Sequence, residues 1–149
     1  MIYYEAKDFP VDGLEADGQD VKVHVPAGTE WRVYKLFGDQ GGCIAVEGDG
    51  DGSALRDGDG YGDAYRYGAG AGGARRYGTG DGHAYRHGRG DGVAWRSGEG
   101  EGSAHRYGAG NGGAYRHGTG EGHAWRWGAG YGDAYRYGGG EIEEKQNDF

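Results

Sequence analysis

The amino-acid sequence predicts an all-β chain folded as a β-solenoid: a glycine/alanine-cored β-helix of about nine 10-residue repeats behind an N-terminal β cap. Three observations predict it. Residues 48–140 repeat one decapeptide, G-x-G-x-G-x-A-x-R-x, from GDGDGSALRD (48–57) to GAGYGDAYRY (128–137). Strict self-similarity at a short fixed period marks a stacked-repeat architecture. Every fixed residue carries an even number and every variable one an odd number, which is the period of a strand. Because ten is even, the two faces never exchange: one is Gly-Gly-Gly-Ala-Arg, the other holds Asp, Tyr, Trp, His, Ser and Thr.

Residues 1–47 form the expected cap. DFPVDGLEADGQD is turn-rich; Val21, Val23 and Val25 then alternate with Lys22 and His24, the pattern of a half-buried strand. Pro26-Ala27-Gly28 interrupts it, and Trp31, Val33 and Phe37 resume on one face. A repeat stack needs a distinct terminal unit over its open edge, and this segment holds most of the bulky aliphatics. From Gly38 the chain is in repeat register, with Ile44 in the Ala slot and Val46 in the Arg slot. Apolar residues there imply that the even face points inward.

Within the array (48–140), glycine suits tight corners, and ten extended residues span roughly 33 Å. That contour suits one flat coil per decapeptide, so nine coils rising about 4.8 Å each would make a rod of roughly 43 Å. Twenty residues per coil is the rival. The arginines Arg56, Arg66, Arg76, Arg86, Arg96, Arg106, Arg116, Arg126 and Arg136 form a structural ladder. The expectation puts each at a corner, stem over Ala and head paired with acids or stacked on Tyr and Trp. Residues 141–149, EIEEKQNDF, leave the repeat as an acidic tail that would discourage pairing at the last edge.

Composition narrows the function classes. Thirty-eight glycines and three Phe among 149 residues leave no ordinary aliphatic core. The array balances eleven Arg against eleven acids, and the net charge of −8 resides in the ends. A neutral array argues against nucleic acid as a partner. Cys43 is the single cysteine, so no intrachain disulfide is expected. No signal peptide or membrane span is expected either, so the chain is read as made in the cytoplasm.

The strongest binding candidate is the odd-numbered column beside Arg, continuing onto its partner column: Tyr65, Tyr85, Trp95, His105, Tyr115, Trp125, Trp127 and Tyr135. Exposed aromatic patches mark interaction sites, and aromatic cross-strand ladders also stabilise sheets. Five of the six histidines occupy variable slots of the array, and no metal or other cofactor is expected. Arg89-Gly90-Asp91 is read as a chance tripeptide, and Thr79 and Thr119 are too sparse for an ice-binding grid. No nucleophile is accompanied by a fixed His and acid, so no catalytic residue is assigned and enzymatic activity is not expected.

GDGDG (48–52), GTGDG (78–82) and GEGEG (98–102) resemble the calcium-binding turns of repeats-in-toxin β-rolls, although here the period is ten and the acids are irregular. GYGDAYRYG (60–68 and 130–138) is similar to glycine-rich decapeptide repeats of small, largely uncharacterised proteins of tailed bacteriophages and prophages. That resemblance implies a viral product, in the virion or the host cytoplasm. The expectation is a non-enzymatic structural or binding module presenting a rigid aromatic and Arg ladder surface to a protein or glycan, as a virion component or adhesin. The alternatives are an intracellular factor that binds a host protein or signalling ligand, and a calcium-binding roll. A homo-oligomer stays open.

Overall fold

A computed structural model describes residues 1–118, 122–129, 131–137 and the backbone of 141–144. Its strands are β1 (Ile2–Glu5), β2 (Leu14–Glu15), β3 (Val21–His24), β4 (Val33–Phe37), β5 (Ile44–Glu47), β6 (Ser53–Asp57), β7 (Ala64–Tyr67) and β8 (Ala74–Tyr77). They continue as β9 (Ala84–His87), β10 (Ala94–Ser97), β11 (Ala104–Tyr107), β12 (Ala114–His117), β13 (His123–Trp127), β14 (Ala134–Tyr137) and β15 (Glu141–Glu144). Odd-numbered strands make one parallel sheet and even-numbered strands the other. The chain is a β-solenoid of about seven turns, with one short 3-10 segment at Ala6–Asp8.

The coil takes twenty residues, which corrects the preference for ten. Ala64 lies beside Ala84 and Ala84 beside Ala104, while Ala74 pairs with Ala94 in the other sheet. Successive decapeptides therefore supply opposite walls of one coil. Eight strands at about 4.8 Å spacing give a stack roughly 34 Å tall, shorter than the expected rod. Four-residue strands explain the change: the G-x-G-x-G half of each repeat is consumed by a turn at either edge.

The even face does point inward. The alanine of the fixed slot is 0% exposed in every repeat from Ala54 to Ala124, and so is every ladder arginine from Arg56 to Arg126. The expected partners of Arg are thus wrong: the guanidiniums lie inside, against the glycine turns, rather than paired with acids or stacked on Tyr and Trp. Arg66 shows the pattern. Its Nε donates to the carbonyl of Gly52 (2.6 Å), Nη2 to Gly50 (2.6 Å), and Nη1 to Gly48 (3.1 Å) and to Tyr67. Arg76, Arg96, Arg106, Arg116 and Arg126 repeat the same offsets. The three glycines of one turn thus aim their carbonyls at one guanidinium from the coil above. Ion pairs do not hold this core. Among the described residues the ion pairs are Lys22–Glu47 and His24–Glu5, both in the first coils.

Glycine is required because the arches nest. A Cβ on Gly102, at φ +152°, would overlap the carbonyl oxygen of Gly82 in the arch below. Positive φ adds strain for any side chain there. The variable slots have their own logic. Short polar side chains accept the N–H of the residue one coil above: Asp51 from Ala71, Asp63 from His83, Asp81 from Glu101, Asp91 from Asn111 and Ser103 from His123. These N–H groups point along the axis at the turns, where no strand carbonyl reaches them.

Burying nine like charges needs compensation. Burial, then the neighbouring Arg76 and Arg116, pull Arg96 down to about 9, and Asp81 opposes them from outside the arch. Even there the group stays charged at neutral pH. The outer acids thus offset the inner cations through one layer of backbone, which accounts for the neutral array.

The first coils use aliphatic packing instead. Val21, Val23, Val25, Tyr34, Leu36, Ile44 and Val46 fill the interior, and Phe9 packs edge-on against Tyr4 (5.3 Å) and Tyr34 (5.6 Å). Val33 and Phe37 are half-buried and Trp31 is exposed; the interior of β4 is Tyr34 and Leu36, on the face opposite to the three residues singled out from sequence. The stack runs unbroken from cap to array, since β3 pairs with β5 and β4 with β6. At the far end β15 pairs with β13, so Glu141–Glu144 extend a sheet. Residues 145–149 and Thr119 lie outside the described residues.

Candidate aromatic binding face

Because the coil is twenty residues, the candidate aromatic column divides between two sheets. Tyr65, Tyr85, His105, Trp125 and Trp127 share the odd-strand sheet, whereas Trp95, Tyr115 and Tyr135 lie on the even-strand sheet behind it. The structure brings together five of the eight. It adds three that sequence reasoning left out of the site: Tyr67, His87 and Tyr107, in line with Trp127.

The outward positions of β7, β9, β11 and β13 beside each Arg are therefore all rings: Tyr65 and Tyr67, Tyr85 and His87, His105 and Tyr107, Trp125 and Trp127. The even-strand face is mixed, with Leu55, Arg75 and Trp95 ahead of Tyr115 and Tyr135, and Asp57 and Ser97 in the next column. Sorting the decapeptides by parity would have exposed this difference in the sequence.

Ring geometry decides what the face can bind. Tyr65 and Tyr85 stack at 5.0 Å with planes 4° apart, and Tyr85 and His105 at 4.7 Å and 10°. His105 meets Trp125 edge-on at 5.2 Å, and Trp125 and Trp127 lie 6.1 Å apart at 27°. Centroid spacings near the strand spacing mean that ring faces are turned toward neighbouring coils. The edges face solvent, and each ring is half-buried. The surface is a stiff apolar lattice with polar points at its rim.

Those polar points are partly engaged. Tyr65 donates its hydroxyl to Asp63 (2.6 Å). Burial first, then this bond, raises the Tyr65 pKa, so the phenol stays protonated. Beside the lattice runs a groove lined by Cys43, Tyr61, Asp63, Asp81, His83, Glu101, Ser103 and His123. Its column is a hydrogen-bonded chain: Asp63 N–H donates to Cys43 Sγ (3.2 Å), and Ser103 N–H donates to His83 Nδ1 (2.9 Å). Burial pushes the Cys43 thiol up to about 11, so it is no thiolate at neutral pH.

Aspartates of the glycine-rich turns bond the backbone of the neighbouring coil: Asp49, Asp51, Asp59, Asp81 and Asp91 each accept a backbone N–H from the next coil. Among the described residues no group of three or more His, Cys, Asp or Glu is placed to hold a metal ion. The Arg ladder belongs to the core and presents no surface. Among the described residues no helix is long and apolar enough to cross a membrane. Comparison with known proteins returns no matching family model, no matching curated protein and no matching solved structure.

Proposed function

We propose that the chain is a non-enzymatic binding module whose odd-strand face, from Tyr65 to Trp127, docks a polypeptide partner. The observation that carries this reading is eight rings occupying all eight outward positions beside the ladder on four consecutive strands, while the opposite sheet is mixed. A scaffold needing aromatic stacking for stability alone would favour neither wall. A polypeptide is favoured over a glycan because sugars stack on exposed ring faces, and the faces of Tyr65, Tyr85 and His105 cover one another. Flat ring edges suit the aliphatic and aromatic side chains of a protein, where such anchors carry most of the binding energy. The decapeptide's phage-like register makes a viral factor acting on a host protein the form of this reading we favour.

The test compares the two walls. Immobilised protein is exposed to host-cell lysate and, in parallel, to a glycan array. Tyr107→Ser with Trp127→Ser should abolish capture of a specific protein. Trp95→Ser with Tyr137→Ser, on the opposite wall, should preserve it. Capture that survives the first pair, or that depends on the second, overturns the assignment.

A further inference from the structure

Four imidazoles are grouped on the ring lattice and along its groove, which is more than a docking surface requires. His83 immediately precedes β9, His87 ends it, His105 is in the middle of β11 and His123 opens β13. His105 is stacked on Tyr85 at 4.7 Å and its centroid is 6.1 Å from that of His83. His87 packs on Tyr107 at 4.7 Å and Tyr67 at 5.3 Å. His83 accepts the Ser103 N–H at Nδ1.

Cations lie behind the sheet and carboxylates line the groove. Behind the sheet, the Arg86 and Arg106 guanidiniums bear on His87. Within the sheet, His105 faces His83, His87 and His123. Just before β7 the neighbour is Asp63, whose carboxylate accepts the backbone N–H of His83. Asp81 and Glu101 line the groove beside His83 and His123. On the side of β13, the backbone neighbour of Trp125 is Glu143. No carboxylate is hydrogen-bonded to the His87 or His105 ring among the described residues.

We propose that this imidazole cluster is an acid-responsive latch: neutral rings complete the aromatic lattice, and their protonation opens it and releases what the face holds. Charged His87 and His105 would stand among cations and half-buried rings, where charge is poorly solvated. Burial first, then the other three imidazoles, hold His105 down to about 4, and burial, then Arg106 and Arg86, hold His87 below its ordinary value. Since the unfolded chain takes up these protons more readily, stability falls as pH drops from about 6.5 toward about 4.

Only the release step rests on the binding reading; the latch is read on the protein alone. Thermal unfolding and tryptophan emission of the full chain are followed from about pH 7.5 to about pH 4.5, beside His87→Phe with His105→Phe, which keeps rings and removes titration. The wild-type Tm should fall by about 5 °C or more over this range. The double variant should lose less than half of that, with tryptophan emission shifting only in the wild type. Superimposable pH profiles overturn the latch. Where the double variant fails to fold, proton NMR of the wild-type imidazoles decides: His87 and His105 titrating at or above about 6.5 overturn the proposal, and depressed values uphold it. Failure of lysate capture overturns the docking reading and leaves these titrations untouched.

Discussion

Replacing Arg96 by Met tests what the core is made of. Methionine fits the volume of the stem but leaves the carbonyls of Gly78, Gly80, Gly82 and Ser97 facing an apolar group. Charge-assisted hydrogen bonds contribute about 1.5–3 kcal/mol each, so four represent roughly 6–12 kcal/mol. Against that stands relief of repulsion from Arg76 and Arg116, the neighbouring cations that lower the Arg96 pKa. At about 4.8 Å and an effective dielectric of about 20, each repulsion is worth roughly 3.5 kcal/mol. Outer acids such as Asp81 already offset part of it. If those acids cancel about half of the roughly 7 kcal/mol from the two neighbours, the hydrogen bonds win and a net loss of at least about 2.5 kcal/mol is expected. Arg96→Lys should also lose stability, because one ammonium cannot reach four converging carbonyls while its charge still repels both neighbours. The assay is urea unfolding at neutral pH, with circular dichroism confirming that the variants start folded. A stability for Arg96→Met within about 0.5 kcal/mol of wild type would refute the reasoning, since the guanidinium would then be filler.

Three further outcomes follow from the same geometry. Gly102→Ala should be destabilised by at least about 3 kcal/mol in denaturant unfolding, because its Cβ overlaps the Gly82 carbonyl at a positive φ. Ala94→Leu should cost about 1–3 kcal/mol or more through overpacking of a fully buried slot, whereas Val93→Ser on the outer side should be nearly neutral by thermal melting. EDTA should leave Tm and circular dichroism unchanged, since Asp51, Asp81 and Asp91 bond backbone N–H groups without a metal; a calcium-induced gain of β structure would reverse that reading.

Period two in the decapeptide was enough to place Ala94 and its equivalents inside, because side-chain alternation follows from backbone geometry alone. Coil size was hidden by the same regularity: Gly, Ala and Arg recur every ten residues, yet the lattice neighbour of Tyr65 is Tyr85. The variable slots held the missing information, and only when read by parity. Arg misled because an isolated guanidinium belongs at the surface. Nothing in local pattern says that Gly48, Gly50 and Gly52 would converge their carbonyls on Arg66. Tyr34 and Leu36 were missed because Trp31, Val33 and Phe37 are the more hydrophobic register of that strand.

Paired cysteines test the twenty-residue coil most directly. In a Cys43→Ser background, Tyr85→Cys with His105→Cys places thiols on adjacent parallel strands in register, within the roughly 4.4–6.8 Å Cα separation a disulfide accepts. Tyr85→Cys with Trp95→Cys places them on opposite walls. Under mild oxidation the first pair should cross-link within one chain and the second should not. Cross-linking of the second pair without the first would mean one decapeptide per coil and would contradict the two-walled, arginine-filled solenoid.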